Sequence, residues 1–366
     1  MSQRFAVRCT VAVLAAAILV GLAGCANVGY YWQSASGHVQ LMSAARPVSD
    51  WLRDDQADER LKQQLQTAQR IRAFASRVLH LPDNASYTRY ADLRRSAVLW
   101  NVVAAPPLSL TLRTWCFPVA GCVGYRGYYD EAQAQSEAAA LRAQGLDVAV
   151  YPVPAYSTLG WMNWAGGDPL LNTFIHYPEG ELARLIFHEL AHQVVYVQDD
   201  TAFNESFATA VERLGVRAWW QSEVAEAARV DYDRMRARRE QFHALTRSTR
   251  DQLAAAYAGG ASSSQDVTAL MARKQAILQD FRARYARLRS TWEGDPARWR
   301  ATDRWVEEAN NAAFGAEAAY DTWVPAFESL FEREGRDWPR FYDAVRKLGG
   351  MSRERRDQLL KALSRA

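Results

Sequence analysis

The 366-residue sequence lacks the features that mark membrane-spanning, repeat or nucleic-acid-binding proteins. Beyond one apolar run, Val11–Gly24, it has no long apolar segment, and it has no internal repeat. Lys and Arg number 44 against 41 Asp and Glu, and the basic residues are scattered among acids. This balance gives no electrostatic indication of nucleic-acid binding. Cysteine and histidine are scarce, at 4 and 6 residues, so each of them can be considered individually.

The apolar run near the N-terminus predicts an export signal. Arg4 and Arg8 precede it, and it is too short to span a bilayer comfortably. It ends in "LAGC" at 22–25, which resembles a lipoprotein signal with Cys25 as the acylated first residue of the mature chain. An ordinary secretory signal with a chance cysteine is the alternative. Because Ala26 is not Asp, the resemblance to Gram-negative lipoproteins implies the outer membrane, facing the periplasm.

Two of the four cysteines remain after export and lipidation. Cys9 leaves with the signal peptide and Cys25 carries lipid, so Cys116 and Cys122 form an even pair in an oxidising compartment. We predict that they form a disulfide that closes a small loop. Metal binding by the pair is the alternative, which the spacing of five residues and the absence of a nearby histidine disfavour.

The predicted secondary structure of the mature chain changes from mixed helix and strand to helix alone. Helical periodicity runs from about Val48 to Leu79, and a β-rich stretch follows from Ala97 to about Thr158. One alanine-rich helix, "DEAQAQSEAAALRAQG" at 130–145, interrupts that stretch and gives a β-α-β piece. After about Glu179 the pattern is helical throughout.

These patterns predict an α+β fold with a small sheet in the first half and a mostly helical second half. Two long helices, predicted at 206–257 and 265–292, form a hairpin that partly projects; Ser263 and Asp266 fit a capping box at its turn. The predicted divisions are a signal peptide at 1–24, a lipid-anchored tether at 25–47 and a folded domain at 48–366. Within that domain the sheet-containing part covers about 97–178 and the helical part about 179–366.

A histidine pair in "FHELAHQVVYVQDDTAFNESFATAVE", residues 187–212, predicts a metal site. His188 and His192 lie about 40° apart on a helical wheel, with the aliphatic residues on the opposite arc. Those residues are Leu182, Ile186, Leu190, Val194 and Val197. Two imidazoles at i and i+4 can ligate one zinc ion, with Glu189 beside the open position. The alternative is a satisfied helix face that binds no metal.

A third ligand must come from further along the chain, because positions 195 and 198 are not the Gly and His of the extended motif. If the chain turns after the first helix and a second helix runs back from near Asn204, Glu205 reaches the histidines. We therefore predict Glu205 as the third ligand. The other acidic candidates are Asp199, Asp200 and, more weakly, Glu212.

The two motifs carry a family resemblance. His188-Glu189-x-x-His192 followed by Asn204-Glu205-x-x-Ala208 resembles the gluzincin metallopeptidases, in which the second motif supplies the zinc glutamate. More closely, the chain is similar to a bacterial family of predicted, lipoprotein-borne zinc aminopeptidases. The resemblance covers most of the mature chain, through "PPLSLTLRTWCFPVAGCVGYRGYYDEAQA", "YSTLGW", "DPLLNTF", "HELAHQ", "NESFA" and "NNAAF".

The resemblance implies a zincin-like fold, one Zn²⁺ per chain and a peptide substrate. The domain at 48–366 would then be a zinc metallopeptidase, with Glu189 as general base. The chain departs from better-known gluzincin aminopeptidases in its shorter gap between motifs. It also departs in the segment Gly160-Trp161-Met162-Asn163, which lacks the glutamate that grips the substrate's amino group in those enzymes.

Further residues are candidates for substrate and transition-state contacts. Tyr320 is a candidate oxyanion donor, with helix packing as its alternative role. Arg126, beside Tyr125, is a candidate ligand for a peptide carboxylate, with an ion pair in the sheet as its alternative. Asp168 is the candidate for holding a free α-amine. The segment "AYSTLG" at 155–160 is a candidate edge strand for an extended peptide.

Two other classes of function stay open from the sequence. A catalytically inactive peptide- or envelope-binding lipoprotein could retain the same fold. A structural lipoprotein could recruit partners through the helical hairpin. In each case the predicted membrane contact is through the N-terminal lipid only, and no nucleic acid is expected.

Overall fold

The fold is taken from a computed structural model of the chain. It describes residues 29–117, 121–155, 157–222, 226–260, 263–317 and 322–365. The predictions for the signal peptide, Cys25 and Tyr320 lie outside these residues. The described part has small sheets in its first half and helices in its second, which confirms the predicted α+β class.

Helices make up most of the described chain. In order they are α1 (29–44), α2 (Val48–Arg53), α3 (Glu59–Arg77), α4 (Glu131–Ala143), α5 (Glu179–Ala191), α6 (Thr201–Ser222), α7 (Glu226–Tyr257), α8 (Ser264–Arg289), α9 (Arg300–Glu308), α10 (Asn311–Glu317), α11 (Val324–Arg333), α12 (Trp338–Gly349) and α13 (Arg353–Leu363). Short 3₁₀ turns lie at Asn163–Ala165 and Pro296–Trp299. Within the ranges given above, no helix combines the length and apolarity that crossing a bilayer requires.

The strands form three small sheets. They are β1 (Arg46–Pro47), β2 (Arg89–Ala91), β3 (Leu99–Ala105), β4 (Trp115–Phe117), β5 (Gly121–Val123), β6 (Arg126–Tyr128), β7 (Asp147–Val153) and β8 (Leu170–Leu171). One sheet has the order β1-β2-β8, another the order β6-β3-β7, and β4 pairs with β5 as a hairpin. In the β6-β3-β7 sheet both outer strands are antiparallel to β3.

The predicted β-α-β piece is the unit β6-α4-β7. The Asp130 side chain caps α4 by accepting a hydrogen bond from the Gln133 N–H at 2.9 Å. Gly145, with φ of 81°, follows the end of the helix because glycine adopts this backbone conformation at little cost. Since strand side chains alternate, Val102 of β3 packs on the α4 side and Val103 on the α10 side.

The main hydrophobic core lies under the helices that follow the sheets. Buried aromatic residues from several elements meet there: Phe74, Phe187, Phe203, Phe207, Phe327 and Phe341. Core burial of this kind fixes the axial positions of α5 and α6, which pack directly on each other. The residues on their remaining faces therefore have little freedom to shift.

Several predicted element boundaries are wrong. A helix occupies 29–44 where a tether was expected, because Leu41 is buried in the main core and Gln33 bonds the β6 segment through the Gly127 carbonyl. The predicted helix from Val48 to Leu79 breaks between α2 and α3. Asp58 causes the restart, since its side chain accepts a hydrogen bond from the Leu61 N–H at 3.1 Å.

The helical hairpin is tied to the sheet. Lys274 of α8 is buried, and its Nζ donates to Asp147 at 2.6 Å and to the Pro107 carbonyl at 3.1 Å. The predicted first helix of the pair is divided into α6 and α7. At the turn, Ser263 caps α8 by accepting a hydrogen bond from the Asp266 N–H at 3.1 Å. The hairpin α7–α8 is therefore packed on the body of the molecule through α8.

Candidate metal centre

Helix α5 carries both motif histidines at its C-terminal end. Its first turn contains two glutamates, which suit the positive end of the helix dipole. Its aliphatic side, with Leu182, Ile186 and Leu190, is completely buried. The histidines are on the remaining side, as the wheel predicts, and they meet side chains of α6.

Helix α5 is shorter than the sequence suggested, and its connection to α6 is longer. His192 is already the C-cap of α5 and α6 begins at Thr201, whereas the aliphatic pattern through Val194 and Val197 predicted that the first helix would continue. Asn204 fixes the turn: its side-chain amide donates to the Val197 carbonyl at 2.7 Å, and its side-chain oxygen accepts from the Val197 N–H at 2.8 Å. The asparagine of the second motif therefore sets the path by which α6 returns beside α5.

His188, His192 and Glu205 converge on one point. The two Nε2 atoms are 3.2 Å apart, and Oε2 of Glu205 lies 3.3 Å from Nε2 of His188 and 3.7 Å from Nε2 of His192. Ligand atoms bound tetrahedrally to zinc at about 2.0–2.1 Å lie about 3.3 Å from one another. Among the described residues, these three form the group of His, Cys, Asp or Glu side chains that could hold a metal ion. Their donor set and spacing fit zinc.

Glu212 contacts the ring nitrogen of His188 that is turned away from the other two candidate ligands. This role was not predicted from the sequence. Oε2 of Glu212 accepts a hydrogen bond from Nδ1 of His188 at 3.0 Å, so it is not a ligand candidate on the Nε2 side. Arg184 donates to both of its carboxylate oxygens, at 3.1 and 3.0 Å. A carboxylate on the far nitrogen fixes the tautomer and orientation of a ligating histidine. The spacing of Glu205 and Glu212, two turns apart on one face of α6, was the available signal.

The electrostatics of the group favour a bound cation. Burial lowers the pKa of His188, but hydrogen bonds to Glu205 and Glu212 outweigh it and raise that pKa to about 10. Burial works against the charge on Glu205, yet the two histidines hold its pKa below the ordinary value. Glu189 differs, because burial raises its pKa while the histidines only partly oppose this. A carboxylate with a raised pKa is suited to accept a proton.

The rival ligands from the sequence have other partners. Asp200 is buried against Arg356, whose Nε lies 3.0 Å from Oδ2, and its Oδ1 caps α6 by accepting from the Phe203 N–H at 3.1 Å. Asp199 is exposed, and its Oδ1 accepts a hydrogen bond from the Cys122 N–H at 2.5 Å. Neither belongs to the metal group.

The disulfide hairpin β4–β5 lies against the α5–α6 turn. Cys116 and Cys122 are joined across the hairpin. Gly121 approaches the turn so closely that an added Cβ would lie 2.6 Å from Oδ1 of Asp199. Tyr125 follows the hairpin, just before β6 begins.

Two tyrosines from the sheet region interact electrostatically with Glu205. Burial, and then Glu205, raise the pKa of Tyr125, and Glu189 adds to this shift. Burial raises the pKa of Tyr151 to about 12, with Asn101 opposing and Glu205 contributing. Tyr151 is on the face of β7 that packs on α10. Alternation along β7 was the signal that could have identified it.

The other predicted substrate residues lie elsewhere. Arg126 pairs with Glu137 at 3.5 Å and stacks over the Tyr30 ring at 4.1 Å, which is the ion-pair alternative for this residue. Asp168 is only 1% exposed, and both of its oxygens accept from the Thr158 N–H at 3.1 Å. Burial raises the pKa of Asp168 to about 6, with Glu189 contributing. Neither residue lines the cavity beside the histidines, and their substrate-binding roles stay predictions.

A cavity of about 720 Å³ opens beside the metal group. His188 and Glu189 form part of its wall, and the end of β7, at Val153, forms another part. Strand β7 is an edge strand of the described sheet, whereas the segment at 157–160 that was predicted as an edge strand is a loop. Most of the opposite wall comes from α7 and the end of α10. These residues are Tyr232, Asp233, Arg236, Arg239, Glu240, His243 and Glu317.

Comparison with known proteins gives one finding. A protein-family model described as "Putative aminopeptidase" matches residues 29–360. No curated protein and no solved structure matches the chain.

Proposed function

The chain belongs to the aminopeptidase family whose model covers residues 29–360, and from this membership we propose that it is a zinc-dependent peptidase of the gluzincin type. The observation that carries the proposal is the group of His188, His192 and Glu205 at zinc-ligand spacing beside the cavity. One Zn²⁺ per chain follows from this group. Family membership favours a peptide substrate and cleavage at its N-terminus.

A zinc ion held by these residues would supply a water of lowered pKa and would polarise the scissile carbonyl. Glu189 accepts the proton of the attacking water and passes it to the leaving amine, for which its raised pKa is suited. Glu212 accepts a hydrogen bond from the protonated Nδ1 of His188, and this fixes the tautomer in which the lone pair is on Nε2. Nε2 is then the nitrogen that could ligate a metal together with His192 and Glu205. Arg184 in turn keeps Glu212 ionised, since it offsets burial and lowers the pKa of that residue to about 2.

The developing oxyanion needs a hydrogen-bond donor. Tyr320, the donor proposed from the sequence, lies outside the described residues. Tyr125 is a second candidate, because Glu205 and Glu189 both add to the rise in pKa that burial causes at its phenol. A neutral phenol can donate a hydrogen bond to the oxyanion without bringing a charge of its own.

The peptide backbone can be held by β-addition. Strand β7 is an edge strand of the described β6-β3-β7 sheet and runs through Val153 into the cavity wall. An extended peptide along β7 would present successive carbonyls toward His188 and Glu189.

We also propose the cellular site. The "LAGC" segment supports a lipid on Cys25, with the folded domain held at the outer membrane and facing the periplasm. The disulfide between Cys116 and Cys122 is the kind of bond that persists in that compartment.

Metal analysis together with a peptide digest tests the proposed function. We expect about one zinc per chain, its removal by a chelator, and hydrolysis that stops on chelation and returns with zinc. A mixture of unblocked and N-acetylated peptides shows whether cleavage requires a free amino terminus. A zinc-loaded protein that hydrolyses neither set would contradict the proposed activity.

A further inference from the structure

The acidic side chains that line the cavity differ in their ion-pair partners. Several face guanidinium groups: the pairs are Glu212–Arg184, Asp233–Arg236, Glu240–Arg236 and Glu328–Arg217. Glu189 is the proposed base. Among the described lining residues, Glu317 is the remaining acid, and its Oε1 lies 2.8 Å from Nδ1 of His243. Arginine is always protonated, whereas imidazole also exists in a neutral form. Apart from Glu189, Glu317 is therefore the described lining carboxylate whose ion-pair partner is an imidazole and not a guanidinium group.

Glu317 is held in place by the anchoring of α10. At the start of that helix, the Asn311 side chain donates to the Pro107 carbonyl at 2.8 Å and accepts from the Tyr257 hydroxyl at 3.0 Å. The backbone N–H of Asn311 donates to Asp147 at 3.0 Å. The helix also packs on β3 and β7. These contacts make the position of the carboxylate a property of the fold.

Glu317 lines the same cavity as His188 of the metal group. Burial raises the pKa of the Tyr151 phenol, and Glu205 and Glu317 both add to that effect. The Glu317 side chain is 28% exposed, and both it and Glu189 line the same cavity. A carboxylate that is partly withdrawn from water in a cavity wall attracts positive charge more strongly than one in bulk water.

We propose that Glu317, assisted by His243, binds a cationic nitrogen of the peptide substrate. The inference rests on the proposed peptidase function and adds a specificity residue to it. The cation is either the free α-ammonium group or the side chain of a Lys or Arg residue. The α-nitrogen is only about 2.5 Å from the carbonyl carbon of its own residue, whereas a basic side chain reaches several ångströms further from the scissile bond. The two sources can therefore be separated by experiment.

The test compares full-length protein with the variants Glu317→Gln and Glu240→Gln. Glu240 is the matched control, because it lines the same cavity but is exposed and paired with Arg236 at 2.8 Å. The probes are an alanine-rich peptide, its N-acetylated form and a version with lysine in place of single alanines. We expect Glu317→Gln to lower kcat/KM about 10- to 100-fold for the recognised peptide, mainly through KM. Glu240→Gln should change it by less than about threefold.

The pattern of losses identifies the cation. If wild type prefers unblocked peptide and Glu317→Gln loses that preference, the α-ammonium is the ligand. If the preference for lysine disappears instead, the side chain is the ligand. Unchanged preferences of both kinds in a folded, zinc-loaded Glu317→Gln protein overturn the proposal.

Failure of the proposed function gives a different result. If wild type hydrolyses none of the peptides, calorimetric titration with the same peptides still decides the role of Glu317. Equal affinities of wild type and Glu317→Gln would reject that role, and weaker binding by the variant would support it. If Glu317→Gln does not fold, Glu317→Asp keeps the charge on a shorter side chain, and an intermediate loss of affinity is expected.

Discussion

Glu189 and Glu205 are partly buried carboxylates close to the same two histidines, yet their surroundings shift their pKa values in opposite directions. Burial dominates at Glu189 and raises its pKa, whereas the histidines overcome burial at Glu205 and lower its pKa. Pairs of carboxylates separated in this way commonly divide the work, one holding charge and the other moving protons. The assignment of base and ligand thus has a physical basis besides the motif.

Changing Glu189 to Gln tests that division. The variant keeps the size of the side chain and removes its basic carboxylate, so zinc should stay near one per chain. Peptide hydrolysis should fall by about 10²- to 10⁴-fold, the usual contribution of a general base. Parallel measurement of metal content and turnover checks this, with His188→Ala as the comparison that loses both. Near-normal turnover by Glu189→Gln would show that α5 is not the catalytic centre.

Asp168 predicts a pH dependence of stability. Burial raises its pKa to about 6 in the folded protein, above the value near 3.9 of an unfolded chain. Between these values the folded state retains a proton that the unfolded state has released, so the unfolding free energy falls as pH rises. The loss is complete above about pH 6 and amounts to at most about 3 kcal/mol.

Denaturant unfolding between pH 4 and 7 measures this effect. The Asp168→Asn variant should show a flatter dependence than wild type and should lose less stability at neutral pH. Parallel curves for the two proteins would show that the Asp168 carboxyl does not titrate as inferred.

At the residue scale, the sequence was most informative where spacing determines geometry. The i, i+4 separation of His188 and His192 places both on one side of α5, whatever surrounds the helix. The role of Glu212 could not be read in the same way, because it depends on which nitrogen of His188 faces α6. The contacts of Asp168 depend on the path of a loop, for which the sequence has no periodic pattern.

Helices α5 and α6 pack on each other, and a buried ion pair lies at the connection between them. Asp200 and Arg356 are 3% and 4% exposed, and Arg356 belongs to α13 at the other end of the chain. Removing one partner of such a pair leaves an uncompensated buried charge. The C-terminal helix therefore contributes to the geometry of the metal group.

Alanine variants separate this structural role from ligation. Asp200→Ala should lower the unfolding free energy by about 3–5 kcal/mol and leave the zinc stoichiometry of the folded protein unchanged. Glu205→Ala should lose most of its zinc. If Asp200→Ala empties the site while Glu205→Ala does not, the gluzincin assignment is wrong.

The β4–β5 hairpin is the second element that can be tested. Its disulfide joins residues separated by 6 positions, and closing a loop of that size stabilises a protein by about 2 kcal/mol in the chain-entropy description. Thiol labelling of denatured, unreduced protein should find neither Cys116 nor Cys122 free. Replacing both with Ser should lower the unfolding free energy by about that amount. Quantitative labelling of both cysteines would refute the bond.

Prediction of elements succeeded where a segment has its own start and stop signals. Helix α4 has Asp130 before it and Gly145 after it, and its predicted extent agrees with the structure. Helix α1 has no comparable signals. It is held by the tertiary contacts of Gln33 and Leu41, which a local pattern does not contain. The break before α3 was missed because a single cap at Asp58 interrupts an otherwise continuous pattern.

For the whole molecule, the proposed lipid on Cys25 predicts the cellular fraction. Replacing Cys25 with Ser should give a protein that is soluble or keeps its signal peptide, and should remove processed protein from the membrane fraction. Fractionation followed by N-terminal sequencing measures both outcomes. A processed Cys25→Ser chain that still sediments with membranes would contradict the lipid anchor.

The described part of α1 reaches back to residue 29, which limits how far the folded domain could lie from such an anchor. At most three residues lie between Cys25 and that helix, and because an extended chain covers at most about 3.6 Å per residue, this link could span no more than roughly 14 Å. A domain of this size has a radius of gyration of roughly 20 Å, so the link is shorter than the radius of the domain. A domain anchored in this way could rotate at the membrane surface but could not move away from it. It would act only in a thin layer over the bilayer, and substrates would have to diffuse to it.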